Sequence, residues 1–115
     1  MLKKTVLRGK KDFAGLYKKG KSSASKYIVV FYRKNNLEYN RIAFLASKKV
    51  GKSVVRNKAK RHMKEIYHYC RNNIATGYDI IFIGRNNIND VDFFELKRTT
   101  IKLLQKMKLL KGDVS

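Results

Sequence analysis

The sequence predicts an α/β (α+β) sandwich, a mixed sheet of about four strands with three helices, in the order α-β-β-β-α-β-α. Three features carry that expectation. Tyr27-Ile28-Val29-Val30-Phe31-Tyr32 is a β-branched and aromatic run, and Arg41-Ile42-Ala43-Phe44-Leu45-Ala46 returns as a second beyond the turn signal Asn35-Asn36. Between about residues 53 and 73, apolar residues recur with the helical period. Tyr78-Asp79-Ile80-Ile81-Phe82-Ile83 is then a near-continuous apolar run, the pattern of a central strand. A strand, a helix and another strand in succession imply a crossover, with 41–46 and 79–84 parallel in one sheet.

The elements follow in order. Residues 1–11 form a basic, irregular arm carrying Lys3, Lys4, Arg8, Lys10 and Lys11. Asp12 is placed to cap a short helix in which Phe13, Leu16 and Tyr17 recur at i, i+3 and i+4, and Gly20 is placed to stop it. The Ser-rich stretch Lys21-Ser22-Ser23-Ala24-Ser25 supplies a short extra strand. The strands at 27–32 and 41–46 are expected to pair antiparallel across their turn. In the helix from about Ser53 to about Asn73, Val55, Ala59, Met63, Ile66 and Cys70 fall on one stripe. Arg56, Lys60, Lys64 and Arg71 fall together on another side, with Asn57 beside them. Thr76-Gly77 ends that segment. Past the Asn86-Asn87 loop, Asp92-x-x-Glu95 is a capping-box pattern. It opens a last helix that runs to about Leu110, with Phe94, Ile101, Leu104 and Met107 inward. Residues 111–115 read as a frayed tail. With no internal repeat, linker or proline, the 115 residues read as one domain.

Composition narrows the function. Hydrophobic residues make up 43% of the chain, enough to fold. No apolar run approaches the roughly 18 residues of a membrane span, and seven Lys or Arg within the first twenty residues do not suit a signal peptide. The single cysteine, Cys70, excludes an internal disulfide framework, so the simplest setting is the cytoplasm. Twenty-eight Lys and Arg against eight Asp and Glu give a net charge of +20. A domain with that charge repels itself unless a polyanion neutralises it, and nucleic acid is the leading partner. An anionic membrane would instead want one basic amphipathic helix without strands to cover, so no membrane partner is expected.

Residues 46–61, ASKKVGKSVVRNKAKR, hold the sharpest ambiguity. Ala46 through Ser53 fit a loose phosphate-binding loop, with a strand before and a helix after. Such a loop folds tightly so that successive N–H groups point at phosphate oxygens, which needs permissive residues. Here Ala46 replaces the first glycine, β-branched Val50 crowds Gly51, and the strand ending at Ile83 is followed by Gly84 and Arg85 rather than an acid for magnesium. A basic helix fits better. A solvated face usually mixes signs in i, i+4 pairs, whereas Arg56, Lys60 and Lys64 stack like charges and Glu65 is set to one edge. Phosphates along that ridge would remove the repulsion. Asn57 among them can both donate and accept hydrogen bonds.

Phe31 and Tyr32 are adjacent in a strand and must face opposite sides, so part of the cluster Phe13, Tyr17, Tyr27, Phe31 and Tyr32 is left off the main core. Exposed aromatics beside cations are how proteins stack single-stranded nucleic acid. No catalytic set stands out. His62 and His68 are six apart on the helix, Cys70 lies on the buried stripe, the acids are scattered, and no metal site is expected.

From Lys48-Lys49-Val50-Gly51 through Arg56-Asn57-Lys58 to Lys60-Arg61-His62-Met63-Lys64, the chain resembles the protein component of bacterial ribonuclease P. Asp12-Phe13 followed by Tyr17 and Gly20 is similar to that family's opening helix, and length, charge and element order agree over most of the chain. The chain departs from the family pattern at Lys58, where charge is kept but the planar fork of arginine is lost, and at Ser53 and Ala59, which alter packing. The resemblance implies a protein subunit that assists a catalytic RNA in endonucleolytic removal of the 5′ leader from precursor tRNA, without an active site of its own. It implies that Lys48, Lys49, Lys52, Arg56, Asn57, Lys58, Lys60, Arg61 and Lys64, with the N-terminal arm, lie against the catalytic RNA. It implies that Phe13, Tyr17 and Phe31 line a cleft for the leader, that Mg2+ sits at the RNA active site, and that the β-α-β crossover is left-handed. The competing reading is a ribosomal or general RNA-binding protein with no enzymatic association.

Overall fold

In the computed structural model, which describes residues 10–111 and side chains from Phe13 onward, the elements are α1 (Lys10–Lys19), β1 (Lys21–Ala24), β2 (Ile28–Lys34), β3 (Arg41–Ala46), α2 (Ser53–Cys70), β4 (Tyr78–Gly84) and α3 (Phe93–Lys106). Short 3-10 turns occupy Lys48–Val50, Arg71–Asn73 and Ile88–Asp90. Lys3, Lys4, Arg8 and residues 112–115 lie outside the described residues. Lys10 and Lys11, expected in the arm, belong to the backbone of α1, so Asp12 sits inside the helix rather than at its cap. The helix stops at Gly20, whose N–H donates to the Leu16 carbonyl at 2.8 Å. A Cβ there would lie 2.4 Å from that oxygen and 3.0 Å from the Tyr32 carbonyl, so only glycine lets α1 close against β2.

The sheet runs β1-β2-β4-β3, with β4 antiparallel to β2 and parallel to β3. The parallel pairing is the one expected, and the extra strand at 21–24 is present, antiparallel to β2. The expected β2–β3 hairpin is absent, because β4 lies between them. The reason is burial. Ile80, Ile81 and Phe82 are all within 1% of complete burial, and a hairpin would have left this strand on an edge. Asn35, read as part of that turn, and Asn40 beyond it instead stitch the connection onto the approach to β4. The Asn35 N–H donates to Gly77 O at 2.9 Å, the Tyr78 N–H donates to Asn40 Oδ1 at 2.8 Å, and Asn40 Nδ2 donates to Ala75 O at 2.9 Å.

One face of the sheet is sealed by α2 and α3. Ile28, Val30, Ile80 and Phe82 from the strands meet Met63 and Ile66 of α2 and Leu96 and Leu104 of α3. Ala59, Met63, Ile66 and Cys70 form the buried stripe of α2, but Val55 is 36% exposed and rests on Gly51 instead. Asp92 caps α3 as expected, accepting from the Glu95 N–H at 2.9 Å. The inward stripe is Leu96, Thr100, Leu103 and Leu104. Two residues before Leu96, on the opposite side of the wheel, Phe94 is 79% exposed rather than buried, while Phe93 packs against the core.

The last helix also ends four residues earlier than expected. Lys108 adopts φ 62°, its N–H donates to Gln105 O and the Leu109 N–H to Leu104 O, both at 3.0 Å. This is a Schellman stop with lysine at the position glycine usually takes, and buried Leu104 and Leu109 complete it. The chain then returns to pair Leu110 with Ile74, which extends the core past the helix.

Candidate nucleic-acid interface

The segment between β3 and α2 folds back on itself. The Val50 N–H donates to Ser47 O at 3.0 Å and the Gly51 N–H to Lys48 O at 3.2 Å, closing the 3-10 turn. A triphosphate cradle needs such N–H groups free and pointing outward. Gly51, at φ 149° and against the Val55 side chain, is a hinge into α2. The Gly-Lys-Ser signal is therefore a helix entrance.

From that entrance runs a cationic ridge. Lys48, Lys49, Lys52, Asn57, Lys58, Arg61 and Lys64 are exposed, and Arg56 and Lys60 are half-buried. The Arg56 Nε is enclosed and has no acceptor among the described residues. The first turn of α2 holds no acid and its N-cap, Lys52, makes no side-chain cap, so the positive end of the helix adds to the same field. None of these cations forms an ion pair among the described residues. The field reaches His62, whose pKa lies below the ordinary imidazole value. Burial is the main cause, then the nearby Lys58 charge, with Arg61 adding and Glu65 opposing.

On the opposite face of the sheet α1 gives only partial cover. Leu16, Ala43 and Ile81 are buried there, while Phe13, Phe31, Leu45 and Ile83 stay half-buried around them. Tyr17 is 45% exposed and meets Phe31 edge-on at 4.9 Å between ring centres. The three aromatics expected to line a cleft are thus gathered between α1 and the sheet. Tyr32 packs on the other face, as alternation along β2 requires, and Tyr27, one residue before the strand, packs against that same core.

The residues missed from sequence lie across three strands. Arg33, Asp79 and Arg41 are register partners, in one row on the α1 face. Arg41 grips the buried Asp79 with two hydrogen bonds of 2.8 and 2.7 Å, Asn35 donates at 3.0 Å, and Arg33 stands at 3.7 Å. Burial alone would raise the Asp79 pKa. The hydrogen bonds from Arg41 and Asn35 and the charges of Arg41 and Arg33 outweigh it and hold the carboxyl below its usual range. An isolated Asp inside an apolar run was the available signal, because a buried carboxylate needs cationic partners.

Comparison with known proteins agrees with this geometry. The family model described as Ribonuclease P matches residues 1–108. The ribonuclease P protein component of Alkaliphilus metalliredigens is 45% identical over 104 residues, covering 90% of this chain and 94% of the relative. Among solved structures, the RNase P protein of Staphylococcus aureus superposes with a TM-score of 0.86 at 30% identity, over 95% of this chain and 100% of that one. The RNase P protein of Thermotoga maritima gives 0.80 at 34% identity, over 93% and 98%.

Proposed function

The chain belongs to the ribonuclease P protein family, and from that premise we propose that its two surfaces divide the handling of RNA during removal of the 5′ leader from precursor tRNA. The family supplies the protein component of a ribonucleoprotein endoribonuclease, and the protein alone is not the catalytic part. In our reading the α2 ridge lies along phosphates of the catalytic RNA, and the cleft under α1 takes the single-stranded leader. Lys48, Lys49, Lys52, Lys58, Arg61 and Lys64 supply mobile charge to the ridge. Arg56 and Lys60 supply fixed charge, and Asn57 sets register. Phe13, Tyr17 and Phe31 offer rings for stacking, which suits a leader of variable sequence because every base has a π-face. The Mg2+ of the reaction belongs to the RNA active site, and the particle works in the cytoplasm. No described helix is long and apolar enough to cross a membrane.

The observation that carries this reading is the coexistence of a cationic ridge, without an ion pair among the described residues, and a separate aromatic cleft. A ribosomal or general RNA-binding protein needs only the ridge, and the relatives do not favour it. Two RNAs brought together repel through their phosphates, and a strongly basic protein relieves that repulsion. The test is cleavage of precursor tRNA at low magnesium by the catalytic RNA, alone and with this protein. The protein should raise the rate and the substrate affinity. No gain in either would refute the proposal.

A further inference from the structure

The ridge starts at the end of the sheet where Ala46 pairs with Gly84. The other end, marked by Lys34 opposite Tyr78 and Arg41 opposite Asp79, is about 20 Å away by strand rise and carries a second concentration of charge. Lys19 ends α1, Lys21 begins β1, Arg33 and Lys34 end β2, and Lys108 sits in the turn after α3. These five cations line one pocket of about 400 Å³, floored by Tyr32 and Tyr78 with ring centres 5.9 Å apart, and no carboxylate among the described residues lines it. A second pocket of about 380 Å³ shares Lys19, Arg33 and Lys34. Its one carboxylate, Asp79, is taken up by Arg41 and Asn35.

We propose that this end of the sheet is a second RNA-backbone site, holding phosphates of a strand that passes over Lys19, Lys21, Arg33, Lys34 and Lys108. The proposal rests on the ribonuclease P reading and extends it to a surface that neither the motif nor the aromatic cleft includes. Helix C-termini favour cations, which accounts for Lys19 and Lys108 but not for the three strand residues. Gathering five like charges destabilises the free protein, and bound phosphate removes that cost. Arg33 is also positioned. Gly15 of α1 lies over it, and a Cβ at Gly15 would stand 2.6 Å from Arg33 Nη1. The glycine leaves a notch for the guanidinium, and Asp79 draws it from below at 3.7 Å. The sheet wall of the cleft changes from aromatic to cationic toward this end, from Phe31 to Arg33 on one face of β2.

The test is a Lys21→Ala/Lys34→Ala variant, both exposed positions outside the ridge and the cleft. The assembled holoenzyme is titrated with precursor tRNA and with mature tRNA, and the protein alone with catalytic RNA, each across a salt series. The inference expects a roughly tenfold loss of affinity and a shallower salt slope by about two, with thermal stability kept or raised. Loss only for precursor tRNA assigns the strand to the leader. Loss in assembly with the catalytic RNA assigns it there. Wild-type affinities and slopes in every arm, with the wild-type protein active, overturn the inference and leave the ribonuclease P reading standing. A wild-type protein that fails to stimulate cleavage overturns both.

Discussion

The two faces of the sheet obey the same alternation and finish differently. Under α2 and α3, sixteen buried residues form one cluster, with Phe44 stacked on Phe82 at 5.3 Å. Under α1 the buried cluster among the described residues is three, and the aromatics around it stay half-buried or exposed. A ten-residue helix cannot cover a four-stranded sheet, and Phe13, Tyr17 and Phe31 sit where cover gives out. The contrast separates tasks. One face holds the fold together, and the other gives up burial and leaves rings available for a ligand. The charged ridge belongs to the stable face, on the outer side of α2, where a rigid helix holds its cations in place.

Substitutions can break that contrast, and the largest effect should come from the sealed face. Phe82→Ala removes a fully buried ring and should cost about 3–5 kcal/mol of stability by denaturant unfolding. A loss under 1 kcal/mol would mean the two faces do not differ as described. Asp79→Asn comes next. It leaves Arg41 and Arg33 beside a neutral group and should cost about 3 kcal/mol at neutral pH. The native carboxyl titrates below its unfolded value, so its contribution is full above about pH 4 and disappears as pH falls through the lowered native pKa. The asparagine variant should therefore lose less stability on acidification than the wild type, and parallel pH profiles would contradict the assignment. Arg56→Ala sharpens the contrast from the ridge. RNA affinity should fall by about 1 kcal/mol and the salt slope by about one, with the global stability within about 0.5 kcal/mol. Unchanged binding would make the ridge a solvated face only.

The elements and the parallel β3–β4 pairing were legible because each rests on local periodicity or on one long apolar run. The position of β4 between β2 and β3 was also present in that run, since a strand buried on both faces needs neighbours at both edges. The Asn35-Asn36 signal pointed to a hairpin instead, and Asn40 and Asn35 turned out to bind the segment 75–79. In α3, an adjacent Phe93-Phe94 pair allows two phases of the wheel, and only packing against the sheet selects between them. The ridge was readable because its residues share one helix. The pocket of Lys19, Lys21, Arg33, Lys34 and Lys108 was not, since its members come from four places in the chain and meet only through the sheet order.

The central claim is that the thinly covered face recognises the leader. It is tested most directly by the ratio of affinities for precursor over mature tRNA, measured with holoenzymes carrying Tyr17→Ala or Phe31→Ala. Base stacking on an aromatic ring contributes about 1–3 kcal/mol, so the ratio should fall roughly five- to a hundredfold while assembly with the catalytic RNA is unchanged. A ratio that stays at its wild-type value, or an equal loss for both tRNAs, would contradict it.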